Sequence, residues 1–283
     1  MTGVQTCALP ICDQFQGVVV GLGGLGVVTK LTLDIKPAYE MYQAVYEKLS
    51  LAEVENHFDE ITGSAYSVSL FTDWQDASFN QVWLKQRVED LPTEIGTSDF
   101  FGATPAPSHL HPIRAISAEN CTAQMGIPGP WYERLPHFRM DFIPSSGEEL
   151  QTEYLIPRQY AIDAIQAVNS LRSKIAPLLL ISEVRTIAAD TLWLSPCYGQ
   201  ACVALHFTWI KDWDAVKQLL PLIEEQLAPF QARPHWGKLF TLPPAQVRAL
   251  YERMSDFRTL LRDYDPQGKF RNAFLDTYIF GID

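Results

Sequence analysis

The feature that most constrains this sequence is a pattern used twice: one alternating segment, one helical segment, then two more alternating segments. In the first copy, residues 41–49 alternate as a strand does, and Leu51 to Ile61 puts Val54, Phe58 and Ile61 on one helical face. Strands then fit 65–72 and 80–88. In the second copy a strand fits 149–156, and a helix fits 158–172 with Ile162, Ile165, Val168 and Leu171 along one face. Strands at 178–187 and 202–210 complete it. A further helix over 212–228 carries Val216, Leu219, Leu220, Ile223 and Leu227 at helical spacing, with Asp212 placed to cap it and Pro221 expected to kink it. Two β-α-β-β units predict an α+β fold, an antiparallel sheet with helices on one face. The Pro-, Gly- and Ser-rich stretch 92–147 reads mostly as loop. After Arg233 come a Pro- and aromatic-rich loop and short helices near 244–263, read as an arm packing back on another domain.

Near the start, Gly21, Gly23 and Gly26 satisfy the spacing G-x-G-x-x-G. In a dinucleotide-binding fold that motif follows a strand and opens a helix, whose N-terminus receives the pyrophosphate. Here Val27, Val28 and Thr29 are β-branched, and Leu31, Leu33 and Ile35 alternate with polar residues, so a strand is expected instead. Met1 to Ile11 looks like an in-frame translation of a sequencing adapter, which places residues 1–12 outside fold reasoning. The native segment is then expected to begin near Cys12 or Asp13, with N-terminal sequence missing.

Twenty-two Lys+Arg against 33 Asp+Glu give a net charge of −11, without a basic run, which argues against nucleic acid as the partner. No apolar stretch approaches the ~18 residues of a membrane span, so a soluble, cytoplasmic protein is expected. The five cysteines are too few for a disulfide framework. Cys197 and Cys202 flank a hairpin at Tyr198-Gly199-Gln200 and are expected to be reduced. There is no C-x2-C, and His109-Leu110-His111 runs straight into Pro112, so no metal site is expected.

Glu183 and Arg185 lie two apart on a strand and leave the same sheet face. On a covered face they must be paired or engage a ligand; on a solvated face they are an ordinary ion pair. His206 and Thr208 share that face if Leu205 and Phe207 turn to the helices. The loop Arg233-Pro234-His235-Trp236-Gly237-Lys238 either pins a lysine beside a planar group or is packing plus a solvated charge.

Taken together, Gly26-Val27-Val28-Thr29, Glu183-x-Arg185, Trp193-Leu194-Ser195-Pro196, the Arg233–Lys238 loop and Asp265-Pro266-x-Gly268-Lys269-Phe270-x-Asn272 resemble the bacterial alditol (xylitol) oxidases. These are vanillyl-alcohol-oxidase-type flavoproteins with a C-terminal aldonolactone-oxidase domain. The likeness runs from about Asp13 to the C-terminus. It implies an FAD-dependent oxidation of the terminal CH–OH of a polyol, with oxygen reduced to hydrogen peroxide. An aldonolactone is the alternative substrate, for an oxidase or a dehydrogenase. An alternative of another class is a non-catalytic ferredoxin-like binding module. The resemblance implies that residues 13–37 close a flavin-binding domain, with Gly26, Val27 and Val28 near the FAD. Residues 38–230 then form the substrate-binding cap, and 231–283 form an arm carrying an active-site loop.

Glu183, Arg185, Thr208 and Lys238 match the family's substrate-binding positions, with Arg185 and Lys238 as the catalytic cations. His235 matches a residue beside the flavin. The pyrophosphate subdomain, a histidine that many relatives link to FAD, and a serine at the substrate would all lie in missing sequence. The chain alone is accordingly expected to hold FAD poorly and to be inactive.

Overall fold

The computed structural model describes residues 12–90, 99–141 and 149–282. The adapter-like segment 1–11 and parts of the 92–147 stretch lie outside the described residues. The elements, in chain order, begin with α1 (Cys12–Val19), β1 (Glu40–Ser50), α2 (Leu51–Thr62), β2 (Ser67–Thr72) and β3 (Ser78–Arg87). Two-residue strands β4 (Thr104–Pro105) and β5 (Gly129–Pro130) follow, then β6 (Leu150–Pro157), α3 (Ala161–Ser170), α4 (Arg172–Ile175), β7 (Leu179–Ile187) and β8 (Cys202–Trp209). The chain ends through α5 (Trp213–Leu227), β9 (Arg233–Pro234), α6 (Pro244–Ala249), α7 (Met254–Tyr264) and a π-helical turn at Leu275–Phe280.

Among the described residues the strands form one sheet in the order β4-β1-β3-β2-β7-β8-β6-β9, with β5 also on β1. All its named pairings are antiparallel. Each β-α-β-β unit supplies three adjacent strands, and the two halves meet where Phe71 of β2 pairs with Glu183 of β7. The fold is therefore α+β, as the repeated pattern predicts.

Alternation divides the two faces. Val54, Phe58 and Ile61 of α2, Ile165 and Val168 of α3 and Val216, Leu220 and Ile223 of α5 pack on Leu70, Val82, Val184, Leu205, Phe207 and Tyr154 of the sheet. Ser50 caps α2 by accepting from Glu53 N at 3.1 Å, and Asp212 caps α5 by accepting from Ala215 N at 3.1 Å. The irregular residue inside a helix is His57 in α2 (φ −132°, ψ 28°), whereas α5 runs through Pro221 as one element. A second core joins Trp193 and Leu194 to Phe257, Leu260, Leu261, Leu275 and Ile279, with α1 packed on it through Val18.

The strand expected at 27–35 is absent: the segment has no ladder partner, and Leu31, Leu33 and Ile35 are exposed. Its alternation is real, but a strand needs a neighbour to satisfy its backbone, and none of the described strands lies alongside it. Cys197 and Cys202 are free, buried thiols of one small apolar cluster, but no hairpin joins them: residues 198–200 form a turn in which Tyr198 bridges to Asp190.

Leu205 is fully buried between the sheet and its helices. Leu205→Ala should therefore lower stability by about 2–5 kcal/mol, and Asp212→Ala, which removes a cap, by about 1 kcal/mol. Urea unfolding followed by circular dichroism measures both.

Candidate active site

On the sheet face away from the helices, the register sets Glu183, His206 and Glu153 side by side on β7, β8 and β6. One step along, Arg185 lies opposite Ala204, and in the other direction Thr208 lies between Ile181 and Gln151. The methyl of Ala204 leaves the guanidinium room to reach across β8. Arg185 Nη2 donates to Glu153 Oε1 at 2.9 Å, and Nη1 lies 3.4 Å from Glu183 Oε2.

Lys238 reaches the same carboxylate from the other side. β9 pairs with β6, His235 N donates to Glu153 O at 2.9 Å, and Lys238 N donates to His235 O at 3.1 Å. That compact turn sets Lys238 Nζ 2.6 Å from Glu153 Oε2. Trp236 anchors the loop, donating to Leu194 O at 2.7 Å and packing on Tyr251. For Trp236 the packing reading is right. For Lys238 the solvated reading is wrong, because its side chain is 18% exposed and ion-paired. The solvated-face reading of Glu183 and Arg185 fails likewise, since the Glu183 side chain is 7% exposed.

Three partners escaped the sequence reading. Glu153 alternates with Thr152 and Tyr154 on a correctly placed strand, so the same two-residue spacing that flagged Glu183 and Arg185 would have placed it on their face. His137 sits in the 92–147 loop, where no periodicity exists to flag it. Its Nε2 lies 3.2 Å from Glu183 Oε1, and its Nδ1 lies 3.0 Å from Lys85 Nζ on β3. The loop covers this half of the face, packing Ala106 and Cys121 against Val45, Phe71, Trp83 and Ile181. A cavity of about 370 Å³ adjoins the cluster, with Ser67, Ser69, His137, Glu183 and Arg185 among its walls.

Gly26, Val27 and Val28 belong elsewhere. Gly26 (φ 124°) lies at the ring of Phe270, and both valines are exposed. The structure thus brings Glu183, Arg185, Thr208 and Lys238 to one sheet face with His235 beside them, and leaves the glycine segment against the C-terminal arm.

Electrostatics follow from burial and pairing. Burial alone would raise the Glu183 carboxyl, but the hydrogen bond from His137 and the charge of Arg185 outweigh it and hold it well below the usual range. Burial also opposes ionisation of Glu153, and Arg185 and Lys238 reverse that. Burial, then the ammonium of Lys238, push His206 down to about 4. Burial brings Lys85 down to about 7. With Lys85 protonated, three cations face two carboxylates, so the cluster has one unmatched positive charge. Such a site favours a ligand that gathers negative charge.

The D-arabinono-1,4-lactone oxidase family matches residues 147–278. The chain is 51% identical to an alditol oxidase from a Streptomyces species over 99% of its own length and 66% of that protein. Along almost its whole length the chain is thus similar to an alditol oxidase. It is also 24% identical to L-gulono-1,4-lactone dehydrogenase of Mycobacterium tuberculosis, over 96% of this chain and 65% of that one. A VAO-type flavoprotein structure from Myceliophthora thermophila aligns with a TM-score of 0.47 at 10% identity, covering 83% of this chain and 47% of the other. The chain spans about two thirds of the length of the curated relatives it matches. Among the described residues no helix is long and apolar enough to cross a membrane.

His206 carries a pH signature of the buried cluster. Its folded pKa lies below the unfolded value of about 6.5, so the stability it confers is complete above that value and is lost as pH falls toward 4. The urea midpoint should fall across this window, and less steeply in His206→Gln.

Proposed function

We propose that the protein oxidises the terminal CH–OH of a sugar alcohol such as xylitol, using FAD and passing electrons to oxygen as hydrogen peroxide. The observation that carries this reading is the Arg185–Glu153–Lys238 triad, two cations on one buried carboxylate, in a chain half identical to an alditol oxidase. The donor set fits a flavin and its substrate. Arg185 is the more open member, with a side chain 38% exposed, and it borders the cavity, while the loop of Lys238 also presents the half-buried His235. When bound, the flavin supplies the acceptor for the two electrons that leave the carbon as hydride.

The chain's own residues supply field and aim. Glu153 fixes both cations, Arg185 by a hydrogen bond to one oxygen and Lys238 by one to the other. Held there, the two stabilise negative charge growing on the hydroxyl oxygen as its proton passes to water. Ionised Glu183 is purely an acceptor and takes hydrogen bonds from substrate hydroxyls. Thr208, further along the same face, donates or accepts.

Within this reading, residues 13–37 close the flavin domain, with Gly26, Val27 and Val28 at the FAD, 38–230 are the cap and 231–283 the arm. The protein works in the cytoplasm. The match to the lactone oxidase family over 147–278 supports a second reading, an aldonolactone in the same cleft. Comparing xylitol with an aldonolactone as reductant of the flavin separates the two.

The test uses the protein completed to the length of its relatives and loaded with FAD. Arg185→Ala should slow flavin reduction by xylitol about 10²–10³-fold, with reoxidation by oxygen less affected. Arg185→Lys should fall between, keeping the charge but losing the planar fork that spans Glu153 and Glu183. Stopped-flow absorbance follows both half-reactions. Wild-type reduction in Arg185→Ala would make Arg185 structural and the mechanism wrong.

A further inference from the structure

We propose that Lys85 and His137 form a buried hydrogen-bonded relay that aims Glu183 and holds it ionised, making them positioning residues for the carboxylate that meets the substrate. The inference rests on the proposed role of Glu183, but the wiring itself is a property of the chain.

The direction of the relay follows from its donors. Below about pH 7 Lys85 is an ammonium, which only donates, so there His137 Nδ1, 3.0 Å from Lys85 Nζ, must accept. Nδ1 then carries no proton, and the ring N–H is Nε2–H, which points at Glu183 Oε1 at 3.2 Å. Lys85 also donates to Leu135 O. Glu183 is left with one oxygen committed to His137 and the other facing Arg185 at 3.4 Å.

The scaffold around the ring explains why the imidazole keeps this pose. Phe71 and Trp83 meet it edge-on, with centroids 5.5 and 5.2 Å away. The backbone carbonyl of His137 accepts from Thr122 N at 3.0 Å and Thr122 Oγ1 at 3.3 Å.

A merely structural role accounts poorly for Lys85. Satisfying one carbonyl requires only a neutral donor, whereas a lysine 1% exposed incurs the desolvation of a full charge. The groups facing it are Glu183, whose charge supports the ammonium, and the Cys121 thiol, which burial pushes up to about 11 and so keeps neutral. Those facing His137 are Lys85, Glu183 and Arg185. Burial, then the charge of Lys85, hold the imidazole neutral against the opposing pull of Glu183. Arg139 acts on Cys121, and Glu153, Lys238 and His206 continue the array beyond Arg185.

The 283-residue chain tests the wiring. Long-range ¹H–¹⁵N NMR of its histidines should show His137 neutral with the proton on Nε2 near pH 6, where Lys85 is charged. In Lys85→Met, which removes the opposing charge, His137 should protonate at higher pH than in wild type. A proton on Nδ1, an ordinary histidine titration in wild type, or a titration unmoved by Lys85→Met would overturn the relay.

In the complete FAD-loaded protein, His137→Ala should slow flavin reduction by xylitol about 10–100-fold, the cost of losing a supporting partner behind a functional group. His137→Gln, whose amide N–H falls near the lost Nε2–H, should recover most of it. A folded His137→Gln no better than His137→Ala, or wild-type rates in both, would end the positioning role. Should His137→Ala not fold, the wild-type and Lys85→Met spectra decide. Failure of wild-type protein to be reduced by polyol or lactone would instead sink the proposed function, leaving the spectra to judge the relay alone.

Discussion

Two cations of this sheet face hang on one buried carboxylate. Glu153 has a side chain 4% exposed and is bonded through one oxygen to Arg185 and through the other to Lys238. Burying such a charge is costly unless both oxygens are matched, and taking away either partner leaves an unbalanced charge in a poorly solvated place. The triad also joins distant parts of the chain: Arg185 comes from the middle of the sheet, and Lys238 from a loop held to the sheet edge by β9. The loop carrying Lys238 has a packing anchor in Trp236 and an electrostatic one in Glu153, so the lysine's position is determined from both ends.

The sheet makes this arrangement possible by separating tasks between its faces. Apolar side chains of one parity meet three helices and account for the larger core. Side chains of the other parity form a polar row at the middle strands, roofed on one flank by the 99–141 loop. The charges then alternate along the face from Lys85 through His137, Glu183, Arg185 and Glu153 to Lys238. Each charged member lies against an opposite charge or a neutral imidazole, which lets so many ionisable groups share a half-buried surface.

Much of this was legible in the sequence where the physics is local. Strand and helix periodicity placed the six long strands and three packed helices to within a few residues, and the two-residue spacing of Glu183 and Arg185 put them on one face. Glu153 was equally legible by that rule and was passed over because it stands without a charged neighbour two residues away. His137 was not legible, because a loop residue's aim depends on tertiary contacts with Phe71, Trp83 and Thr122. The 27–35 segment shows the opposite error: its alternation is strand-like, but pairing is a property of two segments.

The most direct measurement is a crystal structure of the complete, FAD-loaded protein with a polyol bound. The account predicts one terminal hydroxyl oxygen within about 3 Å of both the Arg185 guanidinium and the Lys238 ammonium, Glu153 still bridging the two cations, and Glu183 accepting from a neighbouring hydroxyl. A polyol seated away from this face, or Arg185 and Lys238 parted from Glu153 when the ligand is in place, would contradict it.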